Sequence, residues 1–193
     1  MAQRVSRTLT EGLGGSVLLA DFDRRAYSVW SASAAPQRLD GRTWGAFVSR
    51  VDGVAVLNAR EVQPRQLRQL LDYARDRYEV VCADLTGAQD AHAMEVLRAS
   101  EAVFLVSNST RASLEGVCER MSWMNQIDLG DRCALLLDRA LNGVPAQDAE
   151  EITGLPLCSL VESDRHIEQF ATWLFASGTY ASSADEASFA LAG

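Results

Sequence analysis

The chain contains no lysine; all 18 of its basic residues are arginine. No chemistry that needs a lysine ammonium can be run by residues of this chain. The four cysteines, Cys82, Cys118, Cys133 and Cys158, form no Cys-x-x-Cys pair. Three of them sit inside apolar runs, so they read as small buried core residues of a reducing compartment. The two histidines, His92 and His166, lie in unrelated segments, which argues against a metal site. No apolar stretch approaches the roughly 20 residues that span a bilayer. No apolar segment follows Arg4 and Arg7 as a signal peptide would require, so a cytoplasmic location is expected. Positive charge is scarce overall: 26 acids against 18 arginines give a net charge of −8. A surface of that sign repels phosphate backbones, and no arginine run makes a local exception, so no nucleic-acid partner is expected. The tail Asp185–Gly193 carries two acids and no base, unlike a basic amphipathic anchor, so no direct membrane attachment is expected either.

What remains is an ordinary globular mixture, 48% hydrophobic, in a chain of single-domain size. Short apolar runs recur at 16–20, 54–57, 79–83, 102–106, 133–137 and 157–161. Runs apolar at every position are strands buried on both faces of a parallel sheet. Several end in Asp21, Asp84, Ser107, Asp138 or Glu162, and carboxyl ends of parallel strands are where α/β proteins place ligands. Helical spacing appears over 2–10, 64–77, 90–100, 109–126, 148–153 and 165–176. Pro64 suits a first turn, and Ser109 and Thr110 suit a cap. The segment 31–50 reads as a loop followed by a short helix. If its Trp44, or Trp30 just before it, is exposed, it marks a partner surface. Met94, Met121, Met124, Trp123 and Trp173 read as core, and His92 as a packed or solvated residue at a helix start. Alternation of this kind predicts a doubly wound, mostly parallel α/β sheet. The domain is expected over 1–180, followed by a flexible tail over 181–193.

The order of the pieces carries a resemblance. Val17-Leu-Leu-Ala-Asp-Phe-Asp23 is similar to the "LLIDxD" segment of the MinD/ParA family of P-loop ATPases. Residues 71–86 resemble the helix and Walker B strand of that family, 97–107 its "LxxADxVLLVTxP", 134–139 its "LVLNR", and 152–164 its "xLGLPVLGVIPxD". The CpaE/TadZ-like and exopolysaccharide-type branches look nearest. The resemblance implies a P-loop NTPase fold that works with ATP and magnesium, as a homodimer or with a protein partner. It implies a role in positioning or regulating a cell-envelope or partition machinery. Residue by residue, it places Asp21 and Asp23 at the catalytic position. It places Asp138, Arg139, Glu162 and Asp164 at the nucleotide, and Asp84 at magnesium through water. Asp84 reads equally well as the cap of the turn that follows it.

The departures from the pattern bear on activity. The family opens with a strand and a "KGGxGKT" loop whose backbone N–H groups and lysines cradle phosphates. Here Met1 falls where the helix after that loop begins. Gly12-Leu-Gly-Gly-Ser16 precedes a strand rather than a helix, so it is no substitute. At Asp138 the family's usual Asn amide is replaced by a group that only accepts hydrogen bonds. The chain is therefore expected to bind no ATP or magnesium and to be inactive as it stands. Two origins are open: an ATPase whose loop is encoded upstream, or a non-catalytic binding or scaffold module that retains the fold. The absent strand lies mid-sheet in the family, beside the strand at 79–84. Direct pairing of 79–84 with 102–106 is the expected repair, with a strand from a partner chain or an open edge as the other outcomes.

Overall fold

Along each inner strand, successive side chains enter two different cores. In Val17–Asp21 (β1), Leu18 and Ala20 belong to one buried cluster, and Val17 and Leu19 to the other. Val80–Asp84 (β4) divides in the same way, Val81 and Ala83 against Val80 and Cys82. In Cys133–Asp138 (β6), Leu135 and Leu137 face one side and Leu136 the other, all three fully buried. Strand side chains alternate between faces, so an unbroken apolar run requires cover on both sides.

That cover comes from helices on both faces in the computed structural model, which describes residues 1–13, 16–22, 41–59, 62–86, 88, 90–138, 143–181 and 187–192. On one face lie Pro64–Arg75 (α3), Asp90–Ala99 (α4), Arg111–Gln126 (α5) and Ala146–Thr153 (α6). They bury Leu67, Leu70 and Leu71, Val96 and Leu97, Leu114 and Val117, and Ala149 respectively. On the other face lie Ala2–Leu13 (α1), burying Val5 and Leu9, and Asp164–Ala181 (α7), burying Ile167, Phe170 and Leu174. An additional short helix, Gly41–Phe47 (α2), lies within the segment read as a loop and helix. Its Trp44 is buried against Tyr73 and Tyr78, donating from Nε1 to the Tyr78 hydroxyl at 3.3 Å. Trp44 is therefore no partner surface, and Trp30 lies outside the described residues. Trp123 and Trp173, read as core, are instead 36% and 49% exposed.

Among the described residues the sheet has eight strands, in the order β2-β3-β1-β4-β8-β5-β6-β7. Besides β1, β4 and β6 these are Val48–Val51 (β2), Val54–Asn58 (β3), Ala102–Asn108 (β5), Leu157–Val161 (β7) and Ala187–Ala192 (β8). All neighbours are parallel except β2 and β3. That hairpin turns on Asp52 and Gly53, both at positive φ (48° and 85°), the two-residue turn whose twist matches antiparallel strands. The doubly wound, mostly parallel α/β fold is thus as the sequence implies, with β2 an addition to it.

The centre of the sheet corrects two expectations. The strands at 79–84 and 102–106 are not neighbours, because β8 lies between them. The tail is therefore not simply frayed: residues 187–192 form an inner strand. β8 is parallel to both flanking strands, from Val80↔Ala187 to Asp84↔Leu191 on one side and from Ala102↔Phe189 to Leu105↔Ala192 on the other. The physical reason is the ladder. Neither β4 nor β5 can leave its inward N–H and C=O groups unpaired, since each buried orphan costs roughly 1–3 kcal/mol. A handful of orphans would rival the whole stability of a domain, about 5–15 kcal/mol. Removing residues 187–193 is accordingly expected to abolish the cooperative urea transition or lower its midpoint drastically. A truncated chain that unfolds at the full chain's midpoint would contradict this arrangement.

Candidate functional site at the carboxyl edge of the sheet

All seven parallel strands run the same way, so their carboxyl ends meet on one edge. Three polar ends lie side by side on one flank. Asp21 of β1 is in register with Asn58 of β3 and with Asp84 of β4. The ladder continues one step past them: the Phe22 N–H donates to the Asp84 carbonyl, and the Ala59 N–H to that of Asp21, both at 3.1 Å. Asp84 also uses its side chain locally, Oδ1 accepting the Thr86 N–H at 3.0 Å. That closes the turn after β4, the capping arrangement the sequence allows for this residue.

The other flank is built on β5 and β6, where Asn108 is in register with Asp138. The two flanks are not level. Asp84 pairs with Leu191, and Leu191 with Phe104, so Asn108 lies four residues further along, roughly 13 Å of strand. Asp138 is therefore separated from Asp84 by two strands and by this stagger. Asn108 organises its surroundings: Oδ1 accepts from the Thr110 N–H at 3.0 Å and from its hydroxyl at 2.6 Å. Thr110 in turn caps α5 by accepting the Ser113 N–H at 3.4 Å. Ser109 ties the next crossing down. Its N–H donates to the Asp138 carbonyl at 3.0 Å, and its own carbonyl accepts from Val144 at 2.7 Å. Gly143 passes so close that an added Cβ would stand 2.9 Å from the Ser109 carbonyl oxygen, which is why glycine occupies that position.

The remaining proposed nucleotide residues lie beyond β7. Glu162 is exposed, and its backbone N–H donates to His166 Nδ1 at 3.2 Å. Asp164 opens α7 and is ion-paired with Arg4 of α1, an exposed pair worth at most about 1 kcal/mol. Asp23 and Arg139 lie outside the described residues. The structure therefore brings Asp21 and Asp84 together, keeps Asp138 apart from them, and turns Asp164 toward α1. Among the described residues, no three His, Cys, Asp or Glu side chains are grouped to hold a metal. His92 is buried, with Nε2 2.6 Å from the Val62 carbonyl oxygen and its ring near Phe22. Its position is structural. Sequence reading passed over Asn108 and Gly143, although an Asn two residues before a helix cap is a recognisable signal.

Comparison with solved structures finds the same fold in two proteins named for the family that the sequence resembles. A ParA family ATPase from Chlorobium tepidum TLS superposes with a TM-score of 0.73 and 15% identity, over 89% of this chain and 90% of that one. The MinD cell division protein of Aquifex aeolicus superposes with a TM-score of 0.70 and 12% identity, over 91% and 90%. At such identities the likeness is one of fold. No family model matches the sequence, and no curated protein does. The chain is an α/β domain with the ParA and MinD architecture, and none of its described helices is long and apolar enough to cross a membrane.

The cysteines contribute no reactive group to this edge. All four are free thiols. Burial among apolar side chains pushes Cys82 up to about 11, against a smaller opposing effect of the Ser6 hydroxyl beside it. Burial likewise pushes Cys158 up to about 11 and raises Cys133. A thiol held protonated in the fold but released in the unfolded chain makes the native state the one that binds more protons. Stability then falls as pH rises. This contribution is fully present below pH 9 and is lost between about 9 and 11. Denaturant titrations across that window are expected to show the decline, and Cys82→Ala to have a shallower slope than the parent. An unchanged slope in the variant would contradict the burial argument.

Proposed function

We propose that this chain is a non-catalytic binding module on a ParA/MinD-type fold, acting through protein contacts in the positioning or regulation of a cell-envelope or partition machinery. The observation that carries the reading is the identity of the strand beside β4. A phosphate cradle of this class needs a strand, a glycine-rich loop and a helix in direct succession. Here β8 fills the central place, and in sequence it follows α7 rather than leading into α1. The whole of the chain between them separates the two in sequence, so no short loop joins them. A strand leading into α1 through a phosphate loop would need the slot that β8 occupies.

The side chains agree with the connectivity. With no lysine in the sequence, no lysine ammonium is present to neutralise a triphosphate. The flank nearest the slot offers Asp21 and Asp84, whose charges repel one. Asp84 already closes its own turn, and no described cluster of ligands stands ready for magnesium. The residues present do not fit ATP with magnesium, and no hydrolytic step is drawn through them. What the fold offers in place of a reaction is a rigid sheet with two helical faces, and the partner is a protein, a second copy included.

Thermal unfolding with and without ATP or ADP and magnesium tests this directly. No rise in the midpoint is expected, and no phosphate release above a contaminant control. An N-terminally tagged chain is expected at discrete positions in its host cell. A nucleotide-dependent rise in midpoint, or turnover by the pure chain, would overturn the non-catalytic reading, and a uniformly diffuse signal the positional one.

A further inference from the structure

The outward face of α5 carries features that the packing of this chain does not use. Leu114, Val117 and Met124 turn into the core, and the Cys118 thiol donates to the Ile152 carbonyl of α6. The helix is thus held from beneath and from one side. Trp123 lies on the opposite side, 36% exposed. Gly116 lies two turns before it on the same stripe. A glycine inside a helix costs roughly 0.5–1 kcal/mol relative to alanine. Gly116 is not at positive φ, and a Cβ built on it meets nothing within 4 Å. No described part of the chain therefore requires a glycine there. Between the two stand Glu119 and Arg120, both exposed, one on either flank of the stripe. Neither is ion-paired among the described residues.

We infer that this face of α5 binds the same face of a second copy of the chain, the two helices antiparallel about a two-fold axis that passes between Glu119 and Arg120. The face is its own complement under that axis. Gly116 stands as far before the axis as Trp123 stands after it, so each indole covers the partner's glycine. Glu119 and Arg120 flank the axis on opposite sides, so each carboxylate faces the partner's guanidinium. An aromatic knob, a gap to receive it and two opposite charges, placed symmetrically, are what an isologous contact needs. A parallel pair would instead set Trp123 against Trp123 and Arg120 against Arg120. An unrelated partner would have to supply the knob, the gap and both charges, whereas a second copy brings all of them. One helix of 16 residues from each copy, about 24 Å long, makes a contact no larger than the roughly 1,200 Å² at which stable complexes begin. The pair therefore forms and parts with concentration. It is one of the protein contacts proposed for the module and rests on that reading.

Sedimentation equilibrium of the full chain, from micromolar to near-millimolar concentration, tests this. A monomer–dimer equilibrium is expected. Glu119→Arg and Arg120→Glu are each expected to weaken the dimer about tenfold, because each sets two like-charged pairs across the axis. Mixed in equal amounts, the two variants are expected to recover a dimer of the parent's strength, since each then meets opposite charge on the other. Gly116→Leu is expected to weaken the dimer by filling the gap that receives Trp123, with a thermal midpoint no lower than the parent's, which separates a lost contact from a lost fold. A chain that stays monomeric at every concentration overturns the proposal. So does a dimer that both charge reversals leave at full strength, or one that mixing the reversed chains does not restore. None of these results bears on nucleotide binding, which the midpoint with ATP or ADP reads separately.

Discussion

Backbone polar groups in the middle of a sheet must be paired, and this requirement shapes the molecule around one gap. β4 and β5 each present an inward row of N–H and C=O groups with no water to satisfy them. In the family that the sequence resembles, the strand leading into the phosphate loop meets this need. Here β8 meets it from the far end of the chain. Side-chain burial on either face is secondary to this pairing. Leu18, Leu135 and Leu105 can only pack as they do if the two halves of the sheet are held side by side.

The same substitution decides what the carboxyl edge can do. A phosphate site is made by the covalent succession of strand, loop and helix as much as by the residues in it. Filling the gap with β8 restores the sheet without restoring that succession. Asp21 and Asp84 still stand in adjacent register, as strand ends of this fold should. On the non-catalytic reading we propose, the strand, loop and helix of a phosphate site are not assembled around them. Conservation of architecture at 12–15% identity is compatible with this, because the architecture depends on apolar periodicity and pairing rather than on the loop.

Much of this architecture could be read from sequence. Six of the eight strands coincide with apolar runs, because strands buried on two faces have a composition that loops lack. The two that escaped notice have different causes. β2 reads Val-Ser-Arg-Val and lies at the edge with mostly exposed side chains, so it has no apolar run. Its available signal was the Asp52-Gly53 turn. β8 reads Ala-Ser-Phe-Ala-Leu-Ala, and alanine has little preference for strands. Its conformation comes from the slot, a long-range cause that no local window contains. The site followed the same division. The adjacency of Asp21 and Asp84 and the turn closed by Asp84 were legible from strand ends. The stagger that separates Asp138 from them depends on β8, and so was not. Trp173 shows a smaller limit: its helix packs through Ile167, Phe170, Ala171 and Leu174, and the tryptophan falls just off that face.

The central claim is that residues 187–192 form an inner strand rather than a tail, and amide hydrogen exchange resolved to single residues tests it most directly. The account predicts that amides across Ser188 to Ala192 exchange as slowly as those of β4 and β5, opening only when the sheet itself opens. Exchange of these amides at the rate of a free chain, while β4 and β5 stay protected, would contradict it.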